Sequence, residues 1–78
     1  MVTPEAVIAP SAQRHGVEDA DMVHAYRNAT DAWHLDDGLV MLVGADRSGA
    51  LLEIGVVHAD DGTPVIVHAM KARRKFLR

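Results

Sequence analysis

The chain has 78 residues, a formal net charge of −3 and no cysteine, and 49% of its residues are hydrophobic. This length predicts a single domain, residues 1–78, and the lack of cysteine excludes disulfides and cysteine-ligated zinc sites. The longest unbroken apolar run, Leu39 to Val43, is too short to cross a bilayer. No basic segment followed by an apolar segment opens the sequence, so we expect a cytoplasmic protein.

The charges are unevenly distributed along the chain. Residues 1–67 contain all eleven acidic residues and only three basic ones, whereas residues 68–78 contain five basic residues and no acidic one. A basic end on an acidic body indicates a local anion-binding site. The alternative is a solvated basic tail without a ligand.

Two helices are predicted in the first 30 residues. Thr3 and Pro4 form a helix-start signal, and Gly16 is a suitable stop, although Pro10 lies inside this segment. Apolar residues at helical spacing predict a second helix that begins near Glu18 and ends around residues 28–30.

Beyond Thr30 the pattern changes to strands rich in Val, Ile and Leu, with a short basic helical turn at the C-terminal end. The predicted fold class is α+β: two N-terminal helices packed on a four-stranded antiparallel meander. Its hairpins turn at Asp37-Gly38, at residues 46–49 and at Asp61-Gly62. The predicted strands are Trp33–Asp36, Leu39–Ala45, Leu51–Ala59 and Pro64–Met70, and the turn is Lys71–Leu77.

The last hairpin sets a register. If Asp61-Gly62 is a two-residue turn, His68 lies opposite Gly55, and Glu53 lies opposite Met70. Glu53, Gly55 and His68 then share one face, where the glycine leaves open space for a substrate. The other face is predicted to be apolar and to carry the helices. Its predicted members are Leu52, Ile54, Val56, Val65, Val67 and Ala69.

Glu53 and His68 are the best candidate catalytic residues, because a neighbouring carboxylate and imidazole can act as base and acid. Nearby cations can hold and stabilise a phosphate, with Arg74 acting in catalysis and the others in substrate binding. These binding residues are Arg47, Lys71 and Arg73. The alternative is a structural Glu–His pair. No histidines have metal-ligand spacing, so we expect neither a metal nor another cofactor.

Three segments in this order resemble the BrnT family of toxins. Residues 14–17 (RHGV) resemble its Lys-His-Gly-Val-type motif, residues 44–54 (GADRSGALLEI) its hairpin, and residues 65–76 (VIVHAMKARRKF) its closing strand and helix. By position, His15 matches a helix-end histidine of the family. Lys71, Arg73 and Arg74 match its basic segment. The chain differs where a helix signal replaces the N-terminal strand, where His68-Ala69-Met70 replaces Ser-Ala-Arg, and at Phe76, which replaces tyrosine.

The resemblance implies a RelE-like fold and a ribonuclease toxin of a type II pair, with a cognate antitoxin and RNA as partners. The leading hypothesis is therefore metal-independent RNA cleavage through the ribose 2′-hydroxyl, with Glu53 as base and His68 as acid. The alternative is an inactive homologue that binds a partner chain through its sheet face or edge. Apolar residues on both faces of so small a sheet favour a homodimer or a bound partner. A DNA-binding module is disfavoured, because the body is acidic and no helix carries a basic stripe.

Overall fold

The computed structural model describes residues 6–77, which form one α-helix and one five-stranded mixed sheet. The sheet order is β1-β5-β4-β3-β2; β1 is parallel to β5, and all other neighbouring strands are antiparallel. Within this part of the chain, no helix has the length and apolar character needed to cross a membrane. The elements are β1 (Val7–Ile8), α1 (Asp19–Arg27), β2 (Ala29–His34), β3 (Val40–Ala45), β4 (Leu51–His58) and β5 (Pro64–Lys71).

The predicted fold class, two helices on a four-stranded antiparallel meander, is wrong at the N-terminal end. The first predicted helix is replaced by β1 and by an N-terminal 3-10 turn, Pro10–Gln13. Proline has no N–H to donate to a preceding turn, so it begins this turn instead of continuing a helix. The chain before it is extended and adds a fifth strand beside β5. The helix-start signal at Thr3 and Pro4 lies outside the described residues.

The second predicted helix is confirmed as α1. Asp19 and Asp21 lie in its first turn, and His24 and Arg27 lie in its last, so the charges complement the helix dipole. The helix ends where the side-chain amide of Asn28 donates to the carbonyl of His24 at 2.8 Å.

The strand β2 begins four residues earlier than predicted, and β3, β4 and β5 lie close to their predicted bounds. At the turn between β2 and β3, Asp37 and Gly38 both have positive φ, as in a type I′ turn. The predicted two-residue loop is nevertheless wrong, because the N–H of Leu35 donates to the carbonyl of Leu39 and the loop has three residues. The C-terminal helical turn is a short 3-10 turn, Arg74–Phe76.

The hairpin of β4 and β5 differs from the predicted two-residue turn. The N–H of Ala59 donates to the carbonyl of Thr63, and Gly62 has a φ of 89°. A bulge at Val67 then shifts the register by one residue, so that Ile66 faces Val56 while His68 faces Gly55. The predicted core positions of Val65 and Val67 are therefore wrong, and Ile66 is buried in their place.

The main core lies between α1 and the face of the sheet that carries Leu52, Ile54 and Val56. Gly44 allows the helix to approach β3 closely, since a Cβ at this position would overlap the carbonyl of Ala25. A second, smaller cluster lies on the opposite face, where the C-terminal segment covers the sheet. It contains Met41, Val43 and Phe76, with Trp33 and Ala72 packed against it.

Candidate functional site

A fully buried carboxylate, Glu53, is the centre of the candidate site. It lies on β4, on the sheet face opposite α1, and it is the one charged side chain buried among residues 6–77. Arg73 donates to Oε1 from its backbone N–H at 2.8 Å and from Nε at 3.0 Å, and its Nη2 lies 2.8 Å from Oε2. His68 Nε2 lies 2.8 Å from the same Oε2. Both carboxylate oxygens therefore have hydrogen-bond partners.

The donors around Glu53 keep it ionised. Burial alone would raise the pKa of Glu53, but hydrogen bonds from the side chain and backbone of Arg73, and from His68, lower this pKa to about 2. The same contact raises the pKa of Arg73. A carboxylate with so low a pKa and no exposed oxygen is a poor proton acceptor near neutral pH. The geometry therefore favours a positioning role for Glu53 and not the predicted role of general base.

His68 supplies the imidazole of the site. Its side chain is 27% exposed. Because ionised Glu53 can only accept, His68 carries a proton on Nε2, and in the neutral ring Nδ1 keeps its lone pair. Nδ1 has no hydrogen-bond partner within residues 6–77. This imidazole is held at one nitrogen and is available at the other.

Gly55 makes room for His68. It lies directly opposite His68 in the sheet, as the sequence predicts. A Cβ on Gly55 would lie 2.9 Å from the His68 Cβ and 3.4 Å from Leu39 Cδ1. The first distance is too short for two carbon atoms in contact, whereas the second is at the short limit of ordinary van der Waals contact. The predicted open space above the glycine is therefore wrong, because the His68 side chain occupies it.

Arg73 connects the site to the C-terminal segment. After β5 ends, the chain turns back over the Glu53 face, and Phe76 packs on Met41 and Val43. Trp33 Nε1 donates to the carbonyl of Phe76 at 3.2 Å. The Arg73 guanidinium lies 5.5 Å from the Phe76 ring centroid. The ion pair of Arg73 with Glu53 and the apolar packing of Phe76 together hold the segment against the sheet.

A second histidine, His15, lies beside His68. The N-terminal 3-10 turn follows β1 along the outer edge of β5, where the Ser11 hydroxyl donates to the carbonyl of Val67 at 2.7 Å. The turn thereby brings the exposed His15 ring to a centroid distance of 5.7 Å from His68, at an interplanar angle of 78°. The sequence carries no signal for this contact, because it joins segments 53 residues apart.

The predicted phosphate-binding cations are not gathered at one place. Arg73 is in the site but is bound to Glu53, and Arg74 next to it is exposed. Lys71 faces Leu52, so it lies on the opposite face of the sheet. Arg47 pairs with Glu18 and Asp21 beside α1, away from His68. The substrate-binding roles predicted for Lys71 and Arg47 are therefore not favoured by their positions.

In the described part of the chain, no group of three or more His, Cys, Asp or Glu side chains is arranged to hold a metal ion. Comparisons with models of protein families, with curated proteins and with solved structures find no match to this chain. The functional argument therefore rests on the arrangement of His68, Glu53, Arg73 and His15.

Proposed function

We propose that this chain is a metal-independent endoribonuclease that acts in the cytoplasm as the toxin of a type II toxin–antitoxin pair. The observation that carries the proposal is His68, a partly exposed imidazole whose Nε2 is bound to the buried, ionised Glu53. A carboxylate behind a histidine fixes the tautomer and stabilises the imidazolium that forms when the ring accepts a proton. RNA supplies a suitable proton on its 2′-hydroxyl.

The reaction proceeds by attack of the ribose O2′ on the adjacent phosphorus. His68 Nδ1 accepts the 2′-hydroxyl proton, the O2′–P bond forms, and the P–O5′ bond breaks. The leaving O5′ takes up a proton, so the products are a 2′,3′-cyclic phosphate and a 5′-hydroxyl. Glu53 keeps its charge throughout, and exposed Arg74 offsets negative charge on the phosphate.

The direct test is a cleavage assay on a single-stranded RNA and on a DNA of the same base sequence. We expect cleavage of the RNA alone, with a 2′,3′-cyclic phosphate product, because only RNA has the attacking hydroxyl. We also expect the rate to persist in excess chelator, since the proton transfers use side chains. The assay is run with and without ribosomes. No RNA cleavage in either condition contradicts the proposal.

The toxin part of the proposal has its own test in growing bacteria. We expect expression of the chain to slow growth, because RNA cleavage reduces protein synthesis. We expect co-expression of the neighbouring gene product to restore growth. The matched control is the His68→Gln chain at equal abundance. If the His68→Gln chain slows growth as much as the parent chain does, toxicity does not arise from the proposed site.

A second candidate function is protein binding without catalysis. The observation that favours it is the outer edge of β2, which pairs with no other strand among residues 6–77. An added strand from a partner chain can complete such an edge. The sheet face is the weaker choice, since the C-terminal segment already covers part of it. Normal growth together with tight binding of the neighbouring gene product favours this candidate over the ribonuclease.

A further inference from the structure

We infer that His15 is the second proton-transfer group of this site and acts as the general acid on the leaving O5′ of a phosphodiester. The inference rests on the proposed function, because it completes the reaction assigned to His68. It is carried by the 5.7 Å separation of the two imidazole centroids. Transfer of a proton to O5′ needs a donor near the phosphorus, and neither Glu53 nor His68 supplies it in the first step.

The chain holds the backbone at His15 in place while leaving its ring accessible. Ser11 anchors the 3-10 turn to β5, and the Gln13 side chain donates to Asp19 at 2.9 Å. Gly16 then reverses the chain with a φ of 75°. The His15 ring itself is exposed and has no hydrogen bond within residues 6–77. A fixed backbone that carries an available imidazole is suited to proton transfer.

The separation of the rings fits one phosphodiester. A group that transfers a proton must come within about 2.6–3.2 Å of the oxygen concerned. The attacking O2′ and the leaving O5′ are bonded to the same phosphorus in the transition state. Two imidazoles whose centroids lie 5.7 Å apart are close enough for each to reach one of these two oxygens in the same phosphodiester.

The roles of the two histidines follow from their surroundings. His68 is the base, because the positive charge that it gains is stabilised by Glu53 at 2.8 Å. His15 is the acid, because the imidazolium form that donates to O5′ is solvated at an exposed position. His15 ends this step neutral and His68 ends it protonated, so the protons balance.

Two other histidines, His24 and His34, do not compete for this role. His24 is bound through Nδ1 to the carbonyl of Ala45 at 2.7 Å. His34 is on β2, and three strands of the sheet separate β2 from the N-terminal turn beside β5. His34→Gln is therefore a matched control, since it changes an exposed histidine in the same way outside the site.

The experiment compares two substrates. One is RNA, whose poor leaving group needs protonation. The other is a ribonucleoside 3′-phosphate ester of 4-nitrophenol, whose leaving group departs without a proton. We expect His15→Gln to slow RNA cleavage by about 10²-fold or more and to slow cleavage of the nitrophenyl ester by less than about tenfold. We expect His68→Gln to slow both, because both substrates need the base, and His34→Gln to match the parent.

The pH dependence gives an independent readout. For the parent, kcat/KM on RNA should be bell-shaped, since one imidazole must be neutral and the other protonated. His15→Gln should lose the alkaline limb of this curve and keep the acidic limb. Thermal unfolding of the variant should match the parent, because the ring is exposed.

Two results overturn the inference. Equal losses of His15→Gln on both substrates indicate a role in binding or structure, and unchanged RNA cleavage by this variant indicates no role at all. In both cases cleavage by the parent leaves the proposed function standing. If the parent cleaves no RNA, the proposed function fails and the inference fails with it.

Discussion

Replacement of His68 by Gln should lower the rate of RNA cleavage by about 10²–10⁴-fold, the usual contribution of a positioned proton-transfer group. Glutamine can still bond to Glu53, but it cannot accept the 2′-hydroxyl proton at neutral pH. The measurement is single-turnover cleavage of a defined RNA, together with KM. We expect the loss mainly in kcat, because the proton moves in the transition state and not on binding.

The matched control for this prediction is His58→Gln. His58 is also a histidine of the sheet, exposed at the end of β4, and it has no part in the site. Its variant should cleave RNA at the parent rate. Cleavage by His68→Gln at the parent rate would remove His68 from the mechanism.

A double variant distinguishes a positioning residue from an independent catalytic one. If Glu53 acts only by orienting and stabilising His68, then Glu53→Gln should add little to the loss already caused by His68→Gln. Independent roles predict that the two losses multiply.

Arg74→Ala should weaken RNA binding and turnover together, because a charge near the phosphate acts in both the ground and the transition state.

The predicted geometry around His68 is correct although the two-residue turn used to derive it is not, because the bulge at Val67 offsets the register shift that the longer turn introduces. Strands that alternate in hydrophobicity allow few registers, and the pairing of His68 with Gly55 and of Glu53 with Met70 is confirmed. The bulge at Val67 has no signal in the sequence. Val65 and Val67 are as apolar as Ile66, so hydropathy alone does not show which of the three is buried.

The strand β1 and the contact of Arg73 with Glu53 were not predicted, for a different reason. Two residues are too few to show a strand period, and Val7 and Ile8 are extended because they pair with β5, 58 residues further along the chain. The sequence predicts that Arg73 is a phosphate ligand, because five basic residues follow residue 67. Its bond to Glu53 depends on the chain turning back after β5, which no local pattern indicates.

The Glu53→Gln variant should lose about 3 kcal/mol of stability at neutral pH. This value follows from the fall in the pKa of Glu53 from 4.5 in the unfolded chain to about 2 in the fold, at about 1.4 kcal/mol per unit. The loss is large because Glu53 is fully buried and three donor groups of Arg73 surround it. Chemical denaturation at pH 7 measures it. Glu18→Gln is the control, since Glu18 forms an exposed ion pair with Arg47 and should change stability by less than about 1 kcal/mol.

The same pair of pKa values determines the contribution of Glu53 to the pH dependence of stability. The pKa of Glu53 is lower in the folded chain than in the unfolded chain, so the unfolded chain binds the proton more readily and acid favours unfolding. The contribution of Glu53 is complete above about pH 5.5 and declines as the pH falls towards 2. The free energy of unfolding of the parent should therefore fall over this range, and that of Glu53→Gln should fall by about 3 kcal/mol less. Parallel pH curves for the parent and the variant would show that ionised Glu53 does not hold Arg73 and His68 in the fold.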